Sequence, residues 1–366
     1  MIGRIGRRTA LVFGSYGIAF LLLAVAHQLG APPLLTFVLA VVALAAGAMS
    51  VGEATDRLSH RLSPAATGLV QSTLGNLPEL FLAIFALQAG LFNVVAAALV
   101  GSVLGNALFV LGLALVVGGL RHGQLKFSKA ANRLYATILL LGVAALIVPF
   151  LATQVGEPDF GHASELSAVV AVTLLVIFAI SIPISLRLPQ AGPGARPEVD
   201  EEVDRTQAPH GPLWPILLAL ALSAGSAALV ADWFVEALRP AMATIGMSEA
   251  FAGLIVIALA GNAVENLAAI RAASQNRADL SLSLVLNSAL QVVLFLAPLV
   301  VLLSFFVASA PLTLVFTPLL LGALAVSAIL VFAIVLDGEA NALEGAMLLG
   351  LYVIIAAAVW WGPPIR

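Results

Sequence analysis

Apolar stretches close to twenty residues long follow one another from Thr9 to Trp361, separated by short charged or Pro/Gly-rich breaks. A helix needs about 20 mostly apolar residues to cross the hydrocarbon of a bilayer, so a chain built this way reads as a bundle of membrane-spanning helices. Hydrophobic residues make up 61% of the 366 and charged residues 10%. An ordinary soluble domain carries roughly a quarter charged, which argues against a soluble domain on a single tether. There is no cysteine, so disulfide frameworks, thiolate metal sites and cysteine nucleophiles are excluded. The formal net charge of −3 says nothing about partners, and no nucleic-acid partner is expected. Met1 to Arg8 is basic and precedes an apolar stretch. No small-residue cleavage site followed by a soluble domain comes after it, so it reads as the start of the first span rather than a signal peptide.

Eleven windows qualify as spans: 9–27, 33–52, 65–88, 92–119, 132–152, 163–187, 213–231, 248–272, 279–304, 313–336 and 343–361. With the N-terminus inside, Arg4, Arg7, Arg8, Arg57, Arg61, Arg121, Lys126, Lys129, Arg133, Arg187, Arg196, Arg205, Arg271 and Arg277 fall at cytoplasmic ends. Only Arg239 and Arg366 fall outside. Basic residues concentrate in cytoplasmic loops, so the expected topology is N-in, C-out, with an odd number of spans.

GNLPE at 75–79 returns as GNAVE at 261–265, an offset of 186 residues. The same offset carries Ser102 to Ser288 and Phe109 to Phe295. The expected organisation is an N-terminal helix (1–30), a first five-helix unit (31–187), an acidic cytoplasmic linker (188–211) and a second five-helix unit (212–366). Five helices per unit force the second copy to enter from the opposite face, which gives the inverted repeats of many secondary transporters.

Glu79 and Glu265 each stand in the middle of a span, where an ionised carboxylate costs several kcal/mol unless paired or hydrated. Asn76 and Asn262 precede them by three positions, so amide and carboxylate share a helix face. Pro78 has no N–H, which frees the Leu74 carbonyl to face a cation. Helices further on add Gly101, Ser102, Gly105 and Asn106 in one copy and Asn287, Ser288 and Gln291 in the other. Gln71, one turn before Asn76, is a weaker candidate. Glu79, Glu265, Asn76, Asn262, Ser102, Ser288, Asn106, Gln291 and the Leu74 carbonyl form an all-oxygen set. Such a set suits Ca²⁺, which takes six to eight oxygens in irregular geometry, whereas zinc or copper would want His or Cys. Small residues in membrane helices also serve close packing.

Glu198, Asp200, Glu201, Glu202 and Asp204 punctuate the linker, and Asp56 ends the second span. Acidic runs are ordinarily solvated; here they are also candidates for a low-affinity collector that regulates cation entry. His27, His60, His122, His162 and His210 lie at helix ends or in loops, and no HExxH pair suggests a membrane metalloprotease.

The strings GNLPELFLAIFAL, GSVLGNALFVLGLALVVGGL, IALAGNAVENLAAI and DGEANALEGAMLL resemble the Ca²⁺/H⁺ antiporter family of the cation/calcium exchanger superfamily over nearly the whole chain. The resemblance implies an eleven-helix, all-α transporter in which Glu79 and Glu265 bind Ca²⁺ or protons alternately. Calcium is then substrate, no cofactor is required, and no enzymatic activity is expected. Three positions depart from that family: Asn266 stands where it usually has His, Asn287 where it commonly has Gly, and Pro78 resembles the sodium/calcium branch. The alternatives are coupling to Na⁺ or K⁺ on the same fold, or, more distantly, a scaffold or intramembrane enzyme. Without an organelle address and with Arg favoured over Lys, the chain is expected in a prokaryotic plasma membrane.

Overall fold

The structure is a computed structural model and describes residues 2–62, 64–155, 161–185 and 212–360. Nearly all of it is helix, because in lipid each backbone polar group must be satisfied within its own segment. The helices are α1 (Ile2–Gln28), α2 (Pro33–Ser59), α3 (Pro64–Leu74), α4 (Leu77–Gln88), α5 (Phe92–Leu104), α6 (Leu111–His122), α7 (Lys129–Val155) and α8 (Ala163–Ser185). Beyond 212 come α9 (Trp214–Ile245), α10 (Glu249–Phe251), α11 (Ala258–Gly261), α12 (Ala263–Ser274), α13 (Ala278–Gln291), α14 (Ala297–Val307), α15 (Pro318–Asp337) and α16 (Ala342–Trp360). The linker residues Glu198, Asp200, Glu201, Glu202 and Asp204 lie outside the described residues.

Among the described residues, nine helices are long and apolar enough to cross a membrane, counting α5–α6 and α13–α14 as single rods. A tenth is the pair Glu249–Gly261 and Ala263–Ser274, bent by 66°. The remaining expected window, 65–88, corresponds to α3 and α4, of 11 and 12 residues, neither of which reaches spanning length alone. Several helices overrun their windows. The α9 helix continues to Ile245 where hydropathy ended it at 231, and α2 continues to Ser59. Hydropathy marks where lipid stops, whereas a helix stops where its hydrogen-bond ladder does; Asp232, Glu236 and Arg239 are exposed and do not interrupt the ladder.

Contacts between distant segments sort the helix ends onto two faces. On one, β1 (Leu125–Lys126) pairs antiparallel with β2 (Glu339–Ala340). There the Asp279 carboxylate accepts the Ser128 N–H at 2.6 Å and the Asn132 amide at 3.3 Å, and His122 Nε2 lies 2.9 Å from the Ser274 carbonyl. On the opposite face Arg239 donates to the Ala89 carbonyl (3.2 Å), Asn93 to Glu249 (3.1 Å) and Ser248 to the Val359 carbonyl (2.6 Å). Helix α4 therefore runs away from the ribbon face and α12 runs toward it, so the two GNxxE copies are antiparallel.

Local geometry repeats with the sequence. Asn76 (φ −92°, ψ 10°) and Asn262 (φ −91°, ψ 20°) break their helices in the same conformation. A π-helical turn at Gly105–Val110 recurs at Val292–Leu296, which corresponds at the offset of 186 to residues 106–110. A third π turn, Ala252–Ile257, has no partner in the first copy, where the matching residues 66–71 are α-helical. Glycines let these central helices meet backbone to backbone: a Cβ on Gly101 would overlap Leu254, and one on Gly253 would overlap the Val94 carbonyl. In lipid, where apolar surface gains little by leaving the solvent, such close packing holds helices together.

The DGEANALEGAMLL string is architectural. Gly338 takes a left-handed φ of 73° with the Lys129 stem against it, Asn341 and Glu344 form a reciprocal capping box, and Gly345 meets the Gly112 backbone. On the ribbon-face side, Val51 and Ala54 of α2 and Leu220 and Ala227 of α9 form a small apolar cluster separate from the main core. Ser50 and Ser223 bond across the same pair of helices at 2.7 Å.

Candidate cation-binding site

Both breaks fall in the interior of the bundle, and each has the same local cause. Asn76 is the N-cap of α4 and Asn262 of α12, with Glu79 and Glu265 in the third helical position of each. An N-terminal helix turn favours negative charge through its unsatisfied N–H groups. In the first copy Pro78, with no N–H of its own, reinforces the break.

The two copies interlock at these breaks. The Glu79 side chain lies directly on Gly261 of the other copy, where an added Cβ would sit 2.8 Å from Glu79 Cγ and 2.9 Å from Oε1. Glycine at 261 is thus required by Glu79, and Glu265 follows four residues later, past the Asn262 break, in the first turn of α12. The amides bind across the repeat boundary. Asn76 donates to Gln291 Oε1 at 3.3 Å. Asn262 donates to Ser102 Oγ at 3.2 Å and to the Ala258 carbonyl at 3.0 Å. Ser288 donates to Asn262 Oδ1 at 3.4 Å, and Asn106 donates to Ser288 Oγ at 3.0 Å and to the Ser102 carbonyl at 2.9 Å. With their NH₂ groups tethered, the asparagines are oriented by partners on neighbouring elements. Asn76, Ser102, Asn106, Asn262 and Ser288 are all buried.

Buried polar atoms ordinarily have partners. Glu79 Oε2 and Asn106 Oδ1 are buried without a hydrogen-bond partner, so oxygens with spare acceptor capacity are held in the interior. Among the described residues no three His, Cys, Asp or Glu side chains cluster. The polar atoms around the two carboxylates are those of amides, hydroxyls and backbone carbonyls, the donor types that hard cations take.

The remaining candidates are less central. Leu74 ends α3 and packs beside the α2–α9 cluster. The Gln71 carbonyl is taken by the Gly75 N–H at 2.9 Å. Asp56 faces His60 at 3.6 Å and is half exposed, at the end of α2. Sequence reading missed Glu53, largely buried, which accepts from Thr9 (2.7 Å) and pairs with Arg57 (3.2 Å); the i,i+4 Glu/Arg spacing was its signal. It also missed Gly253, and the contact of the motif glycine Gly261 with Glu79, because both depend on how the copies meet across the bundle.

Burial is uneven along the two broken helices. Both glutamates are partly exposed. Toward the opposite face, Leu82, Ala83, Ala86 and Leu87 of α4 and Leu254, Ile257 and Ala258 are buried. Toward the ribbon face, Gln71, Thr73, Leu74 and Asn266 are partly exposed, and Leu267 and Ala268 are exposed. A cavity of about 400 Å³ lined by Phe85, Gln88, Asp232, Glu236 and Arg239 lies on the opposite-face side, beyond the buried turn of α4.

Antiparallel broken helices with a carboxylate from each copy at the centre define a secondary-transporter architecture. The sodium/calcium exchanger protein family matches residues 32–187 and 215–361, and the chain belongs to that family. It is 35% identical to a Ca²⁺/H⁺ antiporter of Synechocystis sp. over 93% of this chain and 94% of the relative. It is 33% identical to the Ca²⁺/H⁺ antiporter ChaA of Bacillus subtilis over 89% and 92%. A solved structure of native YfkE superposes with a TM-score of 0.79 at 29% identity, covering 95% of this chain and 99% of that one.

Proposed function

We propose that the protein is a Ca²⁺/H⁺ antiporter in which Glu79 and Glu265 bind either one Ca²⁺ or protons. The observation that carries the reading is the interlock of the two copies, with Glu79 seated on Gly261 and Glu265 four residues further on. Two carboxylates held in a low-dielectric interior repel each other unless their charge is offset. One divalent cation does this, and so do two protons, and the two loads exclude each other. That competition is the coupling. With two protons per Ca²⁺ the exchange is electroneutral, and each pH unit of gradient supplies about 1.4 kcal/mol per proton. A gradient of one unit then supports roughly a hundredfold Ca²⁺ gradient.

Amides and hydroxyls of Asn76, Asn106, Asn262, Ser102, Ser288 and Gln291, with the Leu74 carbonyl, complete the oxygen set. The ribbon face is the cytoplasmic one in this reading, since Arg121, Lys126, Lys129 and Arg133 lie at that end, which puts the N-terminus inside and the C-terminus outside. The site is open to the cytoplasm in this state. Helices α2 and α9, whose ribbon-side parts pack on each other in a cluster apart from the main core, are the moving gate. The bacterial relatives favour a plasma membrane. The chain needs no cofactor and breaks no covalent bond in this scheme. Residues 31–187 and 212–366 are the two repeat units, and the acidic linker between them, with Asp56, collects cations at the cytoplasmic entrance.

The test is ⁴⁵Ca²⁺ uptake into proteoliposomes under an imposed pH gradient. Uptake that follows the gradient without Na⁺, and is lost in Glu79→Gln and Glu265→Gln, supports the proposal. Wild type that is inert until Na⁺ or K⁺ is added moves the coupling to those ions, the branch that Pro78 resembles.

A further inference from the structure

We infer that Asn266 is an additional oxygen ligand for the cation, placed at the ribbon-face mouth of the site. Its N–H bonds the Asn262 carbonyl at 3.1 Å, so the two side chains lie one turn apart on the same face of the helix. Asn262 is the centre of the Ser102–Ser288 network, and Asn266 is the next polar step toward the face on which the site opens. The residue is partly exposed, yet its Oδ1 is buried without a hydrogen-bond partner. Of the other oxygens in that condition, those of Glu79 and Asn106 belong to the site already described, whereas those of Thr55, Asn132, Ser281 and Tyr352 sit on other helices of the bundle. What sets Asn266 apart from that second group is its place one turn from Asn262 and next to Glu265. A buried amide oxygen left unpaired is unfavourable, and a cation passing between mouth and glutamates supplies the missing partner. A carboxamide there adds an oxygen without adding a charge, so the load that protons must neutralise stays with the two glutamates.

The inference rests on the proposed Ca²⁺ exchange, and the experiment separates the two. Full-length wild type, Asn266→Ala and Asn266→Asp are purified and compared for thermal stability with and without Ca²⁺, and for the Ca²⁺ concentration giving half-maximal exchange in proteoliposomes. Asn266→Ala is expected to raise that concentration about tenfold, the loss of one ligand to a charged partner. It should leave the Ca²⁺-free melting temperature unchanged, because no hydrogen bond of Oδ1 is lost, while shrinking the Ca²⁺-induced rise. Asn266→Asp, which keeps an oxygen at the same place, should restore that rise. Wild-type half-saturation and an undiminished Ca²⁺-induced rise in Asn266→Ala overturn the inference while leaving the exchange reading intact. A Ca²⁺-free melting temperature that falls as far as the Ca²⁺-bound one, or an Asp variant no better than Ala, overturns it in favour of a packing role. Wild type without Ca²⁺-driven exchange removes the exchange reading itself, and this inference with it.

Discussion

Gly261→Ala is the sharpest probe of how the copies interlock. The new methyl would stand 2.8 Å from Glu79 Cγ, 3.1 Å from Cδ and 2.9 Å from Oε1. Carbon atoms pack comfortably at about 3.5–4.0 Å, so the Glu79 side chain must retreat by roughly 0.7–1.2 Å. Calcium–oxygen distances span only about 2.3–2.6 Å, so a retreat of that size takes the carboxylate out of reach of an ion fixed by the other ligands. Loss of a charged ligand contact is worth about 1.5–3 kcal/mol, or roughly 10- to 150-fold in the Ca²⁺ concentration for half-maximal exchange. The fold should suffer less. Overpacking costs about 1–3 kcal/mol, of which the helix preference of Ala over Gly returns about 0.5–1 kcal/mol. The assay is ⁴⁵Ca²⁺ exchange against external Ca²⁺ in proteoliposomes, with melting of the Ca²⁺-free protein as control. A half-saturating concentration within twofold of wild type would refute the claim that Glu79 reaches the ion from its seat on Gly261.

Raising the pH on the side from which Ca²⁺ binds should lower the apparent Ca²⁺ concentration for half-saturation, because fewer protons compete for Glu79 and Glu265; a pH-independent value in initial-rate flux measurements contradicts shared carboxylates. Asn76→Ala and Gln291→Ala should be non-additive in Ca²⁺-free thermal stability, with a coupling of about 0.5–1.5 kcal/mol for one hydrogen bond across the repeat boundary. Because the chain has no cysteine, Gly52→Cys with Val264→Cys can be oxidised cleanly. An added Cβ at 52 lies 3.6 Å from Val264 Cγ2 and 3.8 Å from Cγ1, so the two side chains meet directly between α2 and α12. The bond should stop exchange and reduction should restore it, while continued exchange in the oxidised form rules out α2 as the gate. Gly345→Val should abolish folded yield in size-exclusion chromatography, since even a Cβ there would sit 2.5 Å from the Gly112 carbonyl.

Apolar periodicity and the 186-residue echo were enough to establish a helical membrane bundle, its duplicated motif and the two central carboxylates, because lipid leaves a helix as the only economical use of such windows. The helix break at Asn76 was legible as well, since Gly75 and Pro78 act on the backbone locally. Other features depended on groups distant in the chain meeting in space. That Asn76 bonds Gln291 rather than the symmetry-related Ser288, that Glu79 rests on Gly261, and that Gly101 and Gly253 serve backbone contact are consequences of how the two copies dock. The overrun of α9 to Ile245 escaped hydropathy because exposed charge ends a lipid-facing surface without ending a hydrogen-bond ladder. The third π turn at Ala252–Ile257, absent from the first copy, had no repeat to announce it. The unequal packing of the two halves of each broken helix was likewise undecided by sequence: symmetric motifs favour neither face, and only the docking of the copies buries the turns toward one face more fully than those toward the other.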